Sequence, residues 1–458
     1  MHRRLFSFLL SVAALAHAAP APAQQVWVTS TSPTTVWNYS YPGTACTKED
    51  VPDVPVRPFL VGPLGQTVLW FAGNANSYYA SVGMPSSGPD ILFEFQRGTS
   101  RGPGCVAWLP STAYPGSTPA SYNNGLWMAA PFTPNGLVIE ALVHNEFHGE
   151  WTGNFDWCWA QHTGIYLLCD YWNIVSALST DGGLTFLLRQ QSGAPGTNVP
   201  AIALGQPYEL LPPPPTGAGT VPQGMTAQSN ILQVGHYYYV LAQQLSSSMP
   251  WQDGVCIYRA AVPIMPGAPL TWKGWDGNSY SIAVPTSYPA TDPLPLCTPV
   301  LSNAFRFSWS FNTVLNQLII IGQDLLQNVT GVEGCPYAPN VSPSVADSAF
   351  VYTTATLDMA GKLTVTPGEN CLLQITSSTN WHANDLPAGQ AYPSLLDPAS
   401  PQLMRGDRNF QYSGVQPYLY FTQFNPKTNE NGGYDRDVLR LPLLVTIGGG
   451  AKLPQPRQ

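Results

Sequence analysis

Short apolar runs recur along the chain, separated by stretches rich in Pro, Gly, Ser and Asn. They fall into five units. The first has runs at 54–60, 66–71 and 78–82 with a further one at 91–95; the second at 126–132, 137–143, 174–178 and 185–188; the third at 225–232, 236–241 and 255–259 with a Trp-rich end at 272–275. The fourth has runs at 308–312, 317–321, 349–354 and 363–365, and the fifth at 392–396, 418–421 and 437–441. Runs of this length, dense in Val, Ile, Leu, Tyr and Phe and bounded by turn formers, read as strands buried on both faces. No long amphipathic helical pattern interrupts them.

A four-stranded sheet is too small to bury both of its faces, so repeated sheets must stack on one another around an axis. The pattern predicts an all-β fold, a single five-bladed β-propeller over residues 24–458; a pair of β-sandwiches is the competing arrangement. Pro212 to Pro215 and the Gly217-Ala-Gly219 stretch join the second and third units. They resemble a domain linker, but the units on either side match each other.

Residues 1–23 carry a secretory-signal pattern: Arg3 and Arg4, an apolar segment at 5–15, then small residues in Ala16-His-Ala18 and Ala21-Pro-Ala23. The expectation is an exported chain with no membrane span, since no later segment is long and apolar enough to cross a bilayer. Composition adds to this. A net charge of −8 with 10% charged residues makes a nucleic-acid partner or a basic membrane surface unexpected. Eight cysteines, at 46, 105, 158, 169, 256, 297, 335 and 371, form an even set that predicts disulfides in an oxidising compartment. Cys158 and Cys169 are candidates to close one loop. No C-x-x-C pair suggests structural zinc, no G-x-S-x-G elbow suggests a serine nucleophile, and no glycine-rich phosphate loop is present in context. No cofactor is expected.

In a propeller, ligands bind where first strands begin and where the loops after second strands emerge. That face collects Asp50, Asp53 and Arg57 from the first unit, and His144, Glu146, His148, Asp156 and His162 from the second. Asn230, Trp251 and Asp253 come from the third unit and Asp324 from the fourth. His382, Asp385, Tyr392, Ser394, Asp435 and Arg436 come from the fifth. Glycoside hydrolysis needs two carboxylates on one concave face, one to protonate the leaving oxygen and one to act as base or nucleophile. His144, Glu146 and His148 are two apart, so an extended strand would put them on one face. They would form a metal site, an acid tuned by flanking histidines, or the polar lining of a pocket; none of these residues is assigned to a metal.

Several resemblances sharpen these expectations. Ser179-Thr-Asp181-Gly-Gly183-Leu-Thr185-Phe186 resembles the Asp-box turn of sialidases and related propellers, which joins the third and fourth strands of a blade away from the ligand. Asp53, in Asp53-Val-Pro55-Val-Arg57, is similar to the first-blade Asp of five-bladed glycosidases of the arabinanase, xylosidase and levansucrase kind. That resemblance implies Asp53 as base or nucleophile and a later Glu as acid. Glu146 is the nearest match, although it comes from the second unit where that family uses the third. Arg57, His144, His148, Asn230, Asp253, Tyr392 and Ser394 then become candidate substrate contacts for a polysaccharide or oligosaccharide. Segments such as Val143-His-Asn-Glu146-Phe-His-Gly149, Trp272-Lys-Gly-Trp275-Asp-Gly277 and Tyr392-Pro-Ser-Leu-Leu-Asp397 resemble a family of secreted bacterial propeller proteins without an assigned substrate.

Three alternatives stay open. A six-bladed sialidase-like propeller would grip a carboxylate with Arg57, Arg259 and Arg436. A polysaccharide lyase would use His144 or Tyr392 as base. A non-enzymatic carbohydrate-binding propeller would use some of the 14 Trp and 22 Tyr as stacking platforms.

Overall fold

The alternate positions Ile139, Ala141, Val143 and Phe147 give the extended segment Ile139–His148 an apolar face with β-branched and aromatic side chains. The computed structural model accordingly is all-β. It describes residues 25–37, 52–62, 67–70, 79–80, 125–148, 170–183, 185–190, 201–204, 223–245, 254–284, 296–301, 304–324, 335–339, 341–376, 389–425 and 436–447. Among these, helix is confined to a single turn, Ser400–Leu403, and no helix is long and apolar enough to cross a membrane.

In chain order the strands are β1 (Gln25–Val28), β2 (Thr34–Trp37), β3 (Phe59–Val61), β4 (Thr67–Trp70), β5 (Tyr79–Ala80), β6 (Gly125–Phe132), β7 (Ile139–His148), β8 (Asp170–Ser179) and β9 (Leu187–Leu188). There follow β10 (Ile202–Leu204), β11 (Gln223–Thr226), β12 (Leu232–Val234), β13 (Tyr237–Leu245), β14 (Gly254–Ala261), β15 (Lys273–Gly274), β16 (Ile282–Ala283) and β17 (Ala304–Asn312). The last are β18 (Gln317–Asp324), β19 (Ser348–Leu357), β20 (Leu363–Val365), β21 (Asn370–Ile375), β22 (Gln390–Leu396), β23 (Tyr412–Ser413), β24 (Tyr418–Phe424) and β25 (Arg436–Thr446).

Sequential strands pair antiparallel: β3-β4-β5, β6-β7-β8, β13-β14-β15-β16, β17-β18-β19 and β22-β24-β25. A short parallel pairing, Gln223 with Tyr171 and Gly224 with Trp172, fuses two of these groups into one 11-stranded sheet. The close approach explains Gly224: its φ is +117°, and a Cβ there would lie 1.9 Å from the Trp172 carbonyl oxygen. The last sheet is completed from the other end of the chain. β1 pairs with β25 from Gln25 opposite Thr446 to Val28 opposite Leu443, and β2 pairs with β25 further along.

Apolar side chains on neighbouring sheets meet face to face. Phe59, Met128, Val143, Ile174, Val240 and Trp272 share one cluster. Leu241, Ile257, Phe307, Trp309 and Ile320 share a second, and Ile319, Phe350, Leu419, Leu441 and Val26 a third. Disulfides join Cys256 to Cys297 and Cys335 to Cys371; the proposed Cys158–Cys169 pair lies outside the described residues.

The strand pattern of the sequence recurs with informative differences. The run at 137–143 was expected to end before His144, but β7 continues to His148 because β8 begins at Asp170 and pairs with it throughout. β1, β2 and β21 were not among the predicted runs, and the run at 91–95 lies outside the described residues. Between β8 and β9, Ser179–Phe186 makes the tight turn its residues suggest. Asp181 Oδ1 accepts from the Ser179 hydroxyl at 2.8 Å and from the Thr185 backbone N–H at 3.1 Å; Oδ2 accepts from the Thr185 hydroxyl at 2.7 Å. Phe186 then packs at full burial.

Candidate functional site

The segment before β3, Pro52-Asp53-Val-Pro55-Val-Arg57-Pro58, is buried throughout. Its three prolines restrict φ, and they keep Val54 and Arg57, each ahead of a proline, out of helical geometry. The extended segment therefore alternates its side chains and delivers Asp53 to the place where three distant strands meet.

Asp53 is held from three sides. Oδ1 accepts from Arg436 Nη1 at 2.6 Å and from the Tyr392 hydroxyl at 2.8 Å; Oδ2 accepts from Trp127 Nε1 at 3.1 Å. Arg436 opens β25, also donates to the Pro52 carbonyl at 3.0 Å, and lies over the Phe424 ring at 4.2 Å. Burial pushes the Asp53 carboxyl above its ordinary range. Arg436 and the Tyr392 hydrogen bond pull it back, and the negative charge of Glu146 adds to the rise. Trp127, which donates to Asp53, also flanks the His144 ring that contacts Glu146, so one indole connects the surroundings of the two carboxylates.

Glu146 reaches the site from β7. The alternation of an extended strand puts Glu140, Leu142, His144 and Glu146 on one face. His144 Nε2 lies 2.6 Å from Glu146 Oε1. The His144 ring is flanked by Trp127, whose centroid is 5.8 Å away, and Trp172, at 5.5 Å. Opposite Glu146 on β6 stands Gly125, which offers no side chain to cover it. The Glu146 side chain is 18% exposed where that of Asp53 is 2%, so Glu146 is the carboxylate that meets solvent.

Tyr392 and Ser394 bracket a bulge in β22, where the pairing with β24 shifts between Ala391 and Ser394. The Tyr392 ring stacks on Phe424 at 6.4 Å and carries Arg306 over its face at 4.2 Å; burial raises its hydroxyl pKa. Ser394 accepts from Arg57 Nη1 at 2.9 Å and donates to the Val56 carbonyl at 3.0 Å. Arg57 also donates to the Phe307 carbonyl at 2.5 Å. Burial pulls its pKa down to about 9.

The structure thus brings together Asp53, Glu146, His144 and Tyr392, with Arg57 and Ser394 behind them. Asn230 stands apart. Its side chain donates to the Trp309 carbonyl at 2.9 Å and accepts from the Trp309 N–H at 3.0 Å, as a backbone partner would. Asn230→Ala is expected to leave both Trp309 groups short of a partner and to cost about 2 kcal/mol. Urea unfolding measures that cost; glycan affinity of the folded variant tells whether Asn230 also contacts a ligand. Asp253, Asp50, Asp156, His162, Trp251, His382, Asp385 and Asp435 lie outside the described residues, and of His148 only the backbone is described. Among the described residues no group of three or more His, Cys, Asp or Glu is arranged to hold a metal ion.

Trp127 and Arg306 were not singled out in the sequence, and Arg436 entered only as a face residue and one of the sialidase-type arginines. Nothing in their local sequence marks them, because each is defined by a contact with a distant strand.

Two carboxylates in unlike settings, one dry and clamped by donors, the other half-open beside an imidazole, are an arrangement in which one group can serve as base and the other as acid. No protein-family model matches the chain, and no curated protein does. Among solved structures, the chain is similar to an N-acetylgalactosamine deacetylase from F. plautii in complex with blood group B trisaccharide (10% identity, 91% of this chain and 96% of that chain, TM-score 0.41). It is also similar to the catalytic domain of the Coprinopsis cinerea GH62 alpha-L-arabinofuranosidase (8% identity, 92% and 97%, TM-score 0.37). A third is the Cellvibrio cellulosa alpha-L-arabinanase complexed with arabinohexaose (11% identity, 85% and 92%, TM-score 0.36). At these scores the functional reading rests on the side chains themselves.

Proposed function

We propose that the protein is a glycoside hydrolase, with Asp53 as base or nucleophile and Glu146 as general acid. The observation that carries this reading is that Asp53, from the segment before β3, and Glu146, from β7, are linked through Trp127 and His144 and sit in contrasting surroundings. Asp53 gains basicity from burial. Glu146 is the more exposed and has a histidine to exchange its proton with. Tyr392 and Arg436 fix the orientation of Asp53, which a displacement at a sugar carbon requires.

The architecture proposed with it is a five-bladed propeller. Supporting this are five groups built on antiparallel pairs: β3–β5; β6–β10; β11–β16; β17–β21, to which β23 adds in parallel; and β22, β24 and β25 with β1 and β2. The turn at Ser179–Phe186 is the Asp-box of that architecture. The two disulfides favour an oxidising compartment, in keeping with export after removal of residues 1–23.

One observation favours a second reading, a carbohydrate-binding propeller without catalysis: both Asp53 oxygens already accept hydrogen bonds, so the group serves equally as an anchor. Reducing-end release from a panel of neutral and acidic polysaccharides separates the two. Release of sugar supports hydrolysis. Silence across the panel, with retention of the same glycans on an array, replaces hydrolysis by binding.

A further inference from the structure

Four strands cross the sheet at the level of Glu146. From β6 through β7 and β8 to β11 the residues in that row are Gly125, Glu146, Trp172 and Gly224. Residues directly opposite one another send their side chains to the same face. Two glycines therefore flank the row, and Glu146 and Trp172 carry its only side chains.

Trp172 is not held as a structural tryptophan is. It is half-buried and belongs to none of the three apolar clusters. Among the described residues its indole meets one aromatic neighbour, His144, edge-on at 5.5 Å and 77°. Its Nε1–H is buried and finds no acceptor, although a buried tryptophan normally ties that group down. Trp272 shares the unmet N–H, but its ring fills the first cluster, which accounts for it. An indole with an unmet N–H and no place in those clusters is better accounted for by a ligand than by packing.

The order of strands gives that indole a direction relative to the two carboxylates. Asp53 is joined to β6 by Trp127, and to β22 and β25 by Tyr392 and Arg436, so it lies beyond the β6 edge. Glu146 follows on β7 and Trp172 on β8. A glycan whose anomeric carbon meets Asp53 and whose linking oxygen meets Glu146 therefore continues outward over β8. Neighbouring strands are about 4.8 Å apart, close to the length of one sugar unit. The departing unit then lies on the indole, whose flat apolar face suits the C–H face of a sugar ring.

We propose that Trp172 is the platform for the sugar on the leaving-group side of the linkage, so that the site cuts between units of a chain. The proposal rests on the hydrolase reading above and adds to it the direction in which the chain lies.

The test is initial rates of wild type, Trp172→Ala and Trp172→Phe on two substrates. One is an oligosaccharide cut from the polysaccharide that the panel above shows to be cleaved; the other is the glycosyl fluoride of the same sugar, which has no sugar to release. Trp172→Ala is expected to raise KM on the oligosaccharide by about 10-fold or more, the worth of one aromatic face. Its loss on the fluoride should be about 10-fold smaller, and Trp172→Phe should recover most of the difference. An equal loss of kcat/KM on both substrates overturns the proposal, since Trp172 then acts through His144 and Glu146. An unchanged KM in Trp172→Ala overturns it too, and both results leave the hydrolase reading standing. Silence of wild type across the whole panel removes that reading and the proposal with it. Oxidation of wild type by N-bromosuccinimide, followed by peptide mapping, needs no variant. Trp172 is expected to be modified in the free chain and protected by excess oligosaccharide. Modification at equal rates with and without it overturns the proposal, whether or not Trp172→Ala folds.

Discussion

Glu146→Gln is expected to lower turnover of a cleaved glycan by about 10²- to 10⁴-fold, the usual worth of a positioned proton donor. The substitution keeps the shape of the side chain and an oxygen toward His144 Nε2, 2.6 Å from the present Oε1. The local geometry and the melting temperature should therefore change little. The amide has no acidic proton to give, so the loss falls on kcat far more than on KM. Substrates whose leaving group departs without protonation should be spared. Initial rates on a natural glycan and on an activated aryl glycoside, run side by side, measure both arms. Wild-type turnover in Glu146→Gln on the natural glycan would move the acid to another residue.

Asp53→Ala is expected to cost about 3–5 kcal/mol of folding stability, because it takes the counter-charge from an arginine that has left water. Arg436 is 1% exposed in its side chain and Asp53 2%. The same change takes an acceptor from the Tyr392 hydroxyl and from Trp127 Nε1. Asp53→Asn keeps an oxygen acceptor and should cost less. Combining Asp53→Ala with Arg436→Met should recover part of the loss, since the buried charge leaves with its partner. Urea unfolding of the single and double variants measures these differences; a loss below about 1 kcal/mol in Asp53→Ala would mean the pair is solvated, not buried.

The pH dependence has a definite sign. Burial holds the Asp53 carboxyl above its ordinary value in the folded chain, so the folded state keeps its proton where the unfolded state has released it. The contribution of this group is therefore greatest below the ordinary carboxylate range. It falls as pH rises through the interval between the ordinary and the raised value, and is flat beyond. Asp53→Asn should remove that decline from the unfolding curve.

The strands that carry the site could be read from sequence because each is a run of residues suited to burial on both faces. β20 matches its predicted bounds, 363–365, and β22, β24 and β25 each contain the predicted run. β21 was missed, since Asn370–Ile375 begins with polar and cysteine residues and follows a Gly-Glu turn. β1 and β2 were missed for another reason: they lie outside the repeat and have meaning only opposite β25. Asp53 and Glu146 were legible as ionisable groups at strand ends. Of the partners of Asp53, Trp127 was not, and Arg436 was placed on the same face without being paired with it, because separation along the chain hides such contacts; Asp53 and Arg436 are 383 positions apart. The bulges that turn Arg306 and Tyr392 leave no trace in composition, as neither position carries the glycine that would announce a positive φ.

The pairing of β1 and β2 with β25 sets an order on biosynthesis. β1 and β2 are made before the strand they pair with, so they wait for β25, and β25 lacks that neighbour until they return to it. Proteolytic trimming past Trp37 would leave that edge uncovered for good, with a row of backbone donors and acceptors ready to accept a strand from another copy of the chain. Loss of a short N-terminal piece would then be felt as intermolecular strand exchange and precipitation, with the candidate site itself still intact.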